Sequence, residues 1–386
     1  MSRRAVLMSL VLGVLMAMAV PVSAFAPPYE QLPDGDTRPI IMAAELLDPQ
    51  PHNTLLEADL QIEAIDNDGI LRYEYRWNRL NPGRVFATSA AEPTVSYASV
   101  APETYARLEV RAVDLNGWHS RWHTAWTGVT PSAPMIVLAG DSIASGYTRQ
   151  WFTGDATCRD ADYSFGSTVR DSVAAALPAA WAPDYVNIAF PGAGMSSVIN
   201  GGSDSCSNVH PSQIDDIERY TDPTTWNVVI VTAGINSTNW VDVVKELTKD
   251  TAFSWTKAGD KLACQQAITE SWNLSDRRAQ ITAGASEIAE AIRGRVNASV
   301  YWASYFAIDG TTIAPGWSPI GPECAEEMQF ALGELHGAIQ DGLSSDVTWV
   351  DIDGLPIDTQ MWAGWPHPNT DGHRTIGLAV AKAITS

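Results

Sequence analysis

Residues 135–147 read MIVLAGDSIASGY. The run from Met135 to Ala139 is aliphatic and stops at Gly140, Asp141 and Ser142. Glycine reaches positive φ, and Asp and Ser bond to nearby backbone, so the stretch reads as a buried strand ending in a turn. Ser142 is then either a turn former or a nucleophile displayed at a strand end. The residues brought beside it decide between the two.

The same texture recurs downstream. YVNIAF (185–190), NVVIVTAG (227–234), ASVYWASYF (298–306) and VTWVDID (347–353) alternate with helical patterns at 168–181, 276–296, 326–343 and 372–384. In the third of these helices Met328, Ala331, Leu332, Leu335, Ala338, Ile339 and Leu343 fall on one stripe. Apolar strands alternating with helices predict an α/β unit over 134–386, a three-layer parallel sheet with helices on both faces. Ligands in such sheets bind beyond the carboxyl ends of the strands. Those ends carry Ser142 after the first strand, Gly192 and Gly194 after the second, Asn236 after the third, and His367 before the final helix.

This constellation resembles the SGNH (GDSL-type) hydrolase family, whose four blocks carry Ser, Gly, Asn and His in that order. Here the blocks are GDS at 140–142, NIAFPGAG at 187–194, TAGIN at 232–236 and HPNTDGH at 367–373. The resemblance implies a flavodoxin-like hydrolase fold and a serine esterase or lipase working through an acyl-enzyme, with no cofactor and no metal. Ser142 would be the nucleophile and His367 the base, which later protonates the leaving alcohol. The backbone N–H groups of Ser142 and Gly192 and the Asn236 carboxamide would form the oxyanion hole. His373 is a rival base, but its place in the first turn of a helix favours a structural role. Asn236 also opens an Asn-Ser-Thr glycosylation sequon.

One position departs from the family pattern. The Asp expected three residues before the histidine is Gly364. In a serine hydrolase that acid fixes the imidazole tautomer and stabilises the imidazolium. The substitutes are a backbone carbonyl of Gly364 or Trp365, giving a Ser-His dyad, or a carboxylate of Asp358 or Asp353 folding back. The carbonyl ranks first, because Gly364 and Pro366 predict a fixed, non-helical path beside His367.

Upstream, residues 35–128 have period two. TLLEADLQIEAID (54–66), ILRYEYRWNRL (70–80), TVSYASV (94–100) and ARLEVRAVDLNGWHSRW (106–122) are separated by turn signals and predict a small antiparallel β-sandwich. Its last segment resembles the closing strands of fibronectin III or Ig-like domains. Residues 129–133 read as a linker. At the start, basic Arg3 and Arg4, an apolar run over 5–20 and PVSA at 21–24 predict a signal peptide cut after Ala24. The apolar run is shorter than the roughly 20 residues of a spanning helix.

Export suits the four cysteines. Three pairings exist, and the favoured one joins Cys158 to Cys206 and Cys264 to Cys324, each clipping one long insert. No Cys/His spacing suits zinc. The formal charge of −21 repels phosphate backbones, so nucleic acid is not an expected partner, nor is stable membrane insertion after signal cleavage. The expected partner is an ester substrate, an acylated glycan, a lipid or a small molecule, met outside the cell or at its wall. The inserts after the third and fourth strands are expected to roof the site. Trp240, Trp255, Trp317, Trp362 and Trp365 in and near them are candidates for stacking on a sugar or lining an acyl pocket, or are packing residues. An O-acyltransferase using the same site, and an inactive wall-binding protein, are the alternatives.

Overall fold

The computed structural model describes residues 38–52, 55–77, 85–98, 102–103, 105–129, 132–149, 156–157, 162–222, 225–238, 240, 266, 274–307, 322–357, 359–362 and 365–386. The expected signal segment, Cys158, Cys264, Trp255, Trp317, Asp358 and Gly364 lie outside the described residues.

The N-terminal part is all strand: β1 (Ile40–His52), β2 (Leu55–Ile65), β3 (Ile70–Trp77), β4 (Phe86–Thr88), β5 (Thr94–Ala98), β6 (Tyr105–Asp114) and β7 (His123–Val129). They form a three-stranded sheet β1-β2-β5 and a four-stranded sheet β4-β3-β6-β7, with antiparallel pairing throughout. Leu60, Ile62 and Val95 from one sheet join Tyr73, Trp77, Leu108 and Val110 from the other in one buried cluster. Along β2 the alternation read from sequence is the observed one: Ala58, Leu60 and Ile62 are buried while Asp59, Gln61 and Glu63 face out. On the other sheet, Glu74 pairs with Arg72 and Arg111, and Glu109 with Arg76 and Arg107. Arg76 and Arg111 also lie over the Trp122 ring, at 4.1 and 4.5 Å.

The C-terminal part runs β8 (Met135–Gly140), α1 (Ser142–Ser145), β9 (Thr148–Arg149), β10 (Ala156–Thr157), α2 (Phe165–Ala176), β11 (Asp184–Asn187), α3 (Met195–Asn200), β12 (Gly202–Ser203), β13 (Val209–His210), α4 (Gln213–Tyr220), β14 (Asn227–Thr232), α5 (Leu274–Arg295), β15 (Ala298–Ala303), α6 (Pro322–Gly342), β16 (Val347–Val350), β17 (Thr359–Trp362), β18 (Trp365–Pro368) and α7 (Thr370–Thr385). The central sheet has the order β11-β8-β14-β15-β16 and is parallel throughout. Its strands are buried runs such as Val228–Val231, as a sheet covered on both faces requires.

The helices fall into two groups. α2 packs on α7, whereas α3, α4 and α5 pack on one another and α5 packs on α6. Right-handed crossovers account for this division. The chain leaves β8 toward β11 and then turns back past β8 to β14, so α2 and the helices that follow cover opposite faces. Connections therefore diverge at the carboxyl end of β8, the position beyond which such sheets bind their ligands. Ser142 stands there.

Candidate functional site

The serine turn is built from residues far apart in sequence. Gly140 has φ of 128°, and a Cβ there would lie 2.0 Å from the Thr232 carbonyl oxygen, so only glycine lets β8 and β14 come this close. The Gln213 carboxamide pairs with both backbone groups of Gly140. It accepts from the N–H at 2.6 Å and donates to the carbonyl at 2.9 Å. The Asp141 N–H donates to the Thr232 carbonyl at 3.0 Å, and Asp141 Oδ1 accepts from the Ile143 N–H at 3.0 Å, capping α1. Asn187 donates through Nδ2 to the Ala144 carbonyl at 3.0 Å. Gly146, left-handed at φ of 70°, ends the single turn. Ser142 is the first residue of that turn and partly exposed, while Asp141, Ile143, Ala144 and Ser145 are all buried.

Asp141 is fully buried, and Tyr305 Oη donates to its Oδ2 at 2.6 Å. Burial pushes the Asp141 carboxyl up to about 7, against the hydrogen bonds from Tyr305 and Ile143 that favour the carboxylate. Burial and the adjoining Asp141 charge raise the Tyr305 hydroxyl well above its ordinary value. The same oxygen accepts from the Ile235 N–H at 3.1 Å. The Tyr305 N–H donates to His336 Nε2 at 3.1 Å, and burial holds His336 below the usual histidine value, hence neutral with Nε2 as acceptor.

Gly192 and Asn236 belong to two interlocked turns. Gly192 is exposed at φ of 87°, a conformation that suits glycine and leaves its backbone open. Asn236 lies in the 3-10 turn Ile235–Ser237, and its Nδ2 donates to the Ala193 carbonyl at 3.3 Å. A carboxamide nitrogen carries two hydrogens, so this bond fixes the side-chain plane and leaves one to present. The Met195 N–H donates to Ser237 Oγ at 2.8 Å, a second stitch between the turns.

His367 lies in β18, paired with Gln360 of β17 in an antiparallel hairpin, two residues before the Asn369 cap of α7. It is buried, and its ring makes a T-shaped contact with that of Tyr147, the ring centroids 5.3 Å apart. β18 also lies against α1, so the histidine strand and the serine turn are neighbours. His373 sits elsewhere, inside α7, with ring contacts to Tyr163 and Phe165 and, among the described residues, no hydrogen-bond partner. Burial lowers it to about 3. Of the candidates for orienting His367, Trp365 opens β18, and Asp353 Oδ1 accepts from Gln329 Nε2 at 2.6 Å.

Several residues of the site carried no signal in the sequence. Gln213, Asn187 and Tyr305 act through contacts spanning 73, 43 and 164 positions, and Tyr305 hides in an apolar run. Asp204 was likewise unmarked. Its carboxylate accepts from the Cys206 and Asn208 N–H groups, from Asn208 Nδ2 and from His210 Nε2, each at 2.8–2.9 Å, and is lowered to about 2, with these bonds outweighing its desolvation. The hairpin it braces returns to the glycine turn: the Ser205 N–H donates to the Pro191 carbonyl, and the His210 ring stacks on Phe190 at 4.5 Å. For Trp240 the structure decides between stacking and packing in favour of packing. It is fully buried in the core and cannot stack on a substrate.

A family model described as GDSL-like Lipase/Acylhydrolase matches residues 136–380. A search among curated proteins returned no match. Among solved structures, the native aryl esterase of M. smegmatis is 12% identical with a TM-score of 0.37, covering 65% of this chain and 98% of that one. Est24, a carbohydrate acetylesterase from Sinorhizobium meliloti, is 10% identical with a TM-score of 0.35 over 65% and 98% of the two chains. A family two carbohydrate esterase from Clostridium thermocellum is 12% identical with a TM-score of 0.31 over 90% and 97%. At these TM-scores they are distant likenesses only.

Proposed function

The chain belongs to the GDSL-like lipase/acylhydrolase family and is a carboxylic ester hydrolase, and from that premise we propose that Ser142 is its nucleophile and His367 its general base. The observation that carries this reading is the packing of β18 and Tyr147, which sets His367 beside the one-turn helix that Ser142 begins. The serine oxygen attacks the ester carbonyl and passes its proton to the imidazole. The oxyanion then draws on the Ser142 and Gly192 N–H groups and on the hydrogen of Asn236 Nδ2 that Ala193 leaves free. The imidazolium protonates the leaving alcohol, and water repeats the sequence on the acyl-enzyme.

His367 is oriented by a backbone carbonyl of Gly364 or Trp365, giving a Ser-His dyad. The strand path of β18 supports this, since a hairpin strand holds its backbone in a fixed register. Asp353 already has one carboxylate oxygen committed to Gln329. The enzyme works outside the cell or at its wall, after loss of residues 1–24, with Cys158–Cys206 and Cys264–Cys324 as its disulfides. Its substrates are acyl esters of a glycan, with lipid and small-molecule esters second, and the all-strand N-terminal part holds it on an extended substrate.

The test is labelling with a serine-reactive fluorophosphonate. Wild type labels and Ser142→Ala does not; a wild-type protein that stays unlabelled at high probe concentration overturns the reading. Asp358→Asn and Asp353→Asn keep turnover if a carbonyl orients His367, and a collapse in either identifies a conventional triad. Adding an alcohol acceptor during ester cleavage separates hydrolysis from acyl transfer by the product formed.

A further inference from the structure

The hydroxyl of Tyr305 stands where three strand ends meet. It follows β15, donates to Asp141 at the end of β8, and accepts from the Ile235 N–H at the end of β14. The direction of these bonds is fixed. A backbone N–H can only donate, so the phenol oxygen accepts from Ile235 and its single proton goes to Asp141 Oδ2. Asp141 Oδ1 meanwhile caps the helix that Ser142 begins, and Ile235 is the residue before Asn236. One oxygen therefore ties the turn carrying the nucleophile to the turn carrying the carboxamide. Its own position is set from the far side, where His336 Nε2 holds the Tyr305 N–H and the two rings stack at an interplanar angle of 6°. Asp141, Ile235 and Tyr305 are all buried, so water does not stand in for a lost partner.

We propose, building on the esterase reading above, that Tyr305 is a positioning residue that sets Ser142 against Asn236 through its hydroxyl. It touches no reacting atom. Removing the oxygen unties the Asp141 turn from the Ile235 turn and lets the attacking oxygen and the oxyanion donor drift apart. Misplacement on that scale costs turnover much more than binding.

Tyr305→Phe keeps the ring and its volume and deletes only the oxygen. On a p-nitrophenyl ester the expected result is a kcat lower by about 10- to 100-fold, a KM within about threefold of wild type, and a matching fall in the rate of fluorophosphonate labelling. Asp141→Asn is the second probe. Its carboxamide still caps α1 through oxygen but presents an N–H₂ to the phenol, and it should lose kcat similarly. The double variant should lose little more than the worse single one. A folded Tyr305→Phe protein with wild-type kcat, or one that loses only KM, overturns the proposal. If that variant does not fold, a folded Asp141→Asn protein with undiminished kcat overturns it equally. Ser142→Ala, run alongside, keeps the two readings apart: hydrolysis that survives Ser142→Ala sinks the assignment of Ser142 as nucleophile, whereas hydrolysis lost there but kept in Tyr305→Phe sinks only the clamp.

Discussion

The ring of Tyr147 meets the ring of His367 edge-on, with centroids 5.3 Å apart and planes at 60°. Tyr147 directly follows the left-handed Gly146 that ends the serine turn, so the contact couples the rotation of the imidazole to that turn. Tyr147→Phe keeps the ring and should leave hydrolysis near wild type. Tyr147→Ala removes the support and should lower kcat by about 10- to 100-fold, while His367→Ala abolishes turnover. Steady-state kinetics of the three variants on one ester check the order.

Asn236→Ala removes the proposed oxyanion donor together with the bond to the Ala193 carbonyl. Turnover should fall by about 100- to 1,000-fold. Thermal unfolding measured alongside separates this loss from a loosened Gly192 turn, which would lower the melting temperature as well.

His373 provides an acid-side prediction. Its folded pKa is lowered from 6.5 to about 3 by burial. Below its ordinary value the unfolded chain takes up a proton that the folded chain refuses, so its stability is intact above about pH 6.5 and is lost as pH falls toward 3. The loss is at most ~1.4 kcal/mol per pH unit for this one group. His373→Leu should keep esterase activity and flatten that part of the curve, as measured by urea unfolding at a series of pH values.

Gln213 satisfies a buried N–H and a buried C=O of Gly140 at once. Gln213→Leu leaves both without a partner and should cost about 1–3 kcal/mol for each. Urea unfolding gives the loss directly, and kcat should fall with it because the serine turn is what loosens.

The parallel sheet and the four strand ends were legible because each rests on local pattern. The aliphatic run Ile136–Ala139 before Gly140 and the stripe through Met328, Leu332, Leu335 and Ile339 report burial residue by residue, and these residues are buried. Ser142, Gly192, Asn236 and His367 follow from knowing which edge of the sheet they reach. The cradle around them was not legible. Tyr305 has the apolar neighbours of a core aromatic, and Gln213 looks like any first-turn polar residue. Their partners are fixed by strand order and crossover, which no local window contains. Trp240, left open between stacking on a substrate and packing, is packed inside by the fold, a choice that no local window contains.

The Asp204 hairpin divides its residues into frame and skin. Among the described residues, the bonds to the Asp204 carboxylate come from residues 206, 208 and 210, and Asp204 and Asn208 also pair through backbone. The side chains of Ser205, Ser207 and Val209 are exposed and take no part in that frame. Ser205 stands next to Gly192, near enough that a Cβ on the glycine would come within 2.9 Å of its hydroxyl. Positions 205 and 209 are therefore the ones to randomise in a selection for altered ester preference, whereas Ser207, left-handed at φ of 68°, belongs to the turn and is best kept.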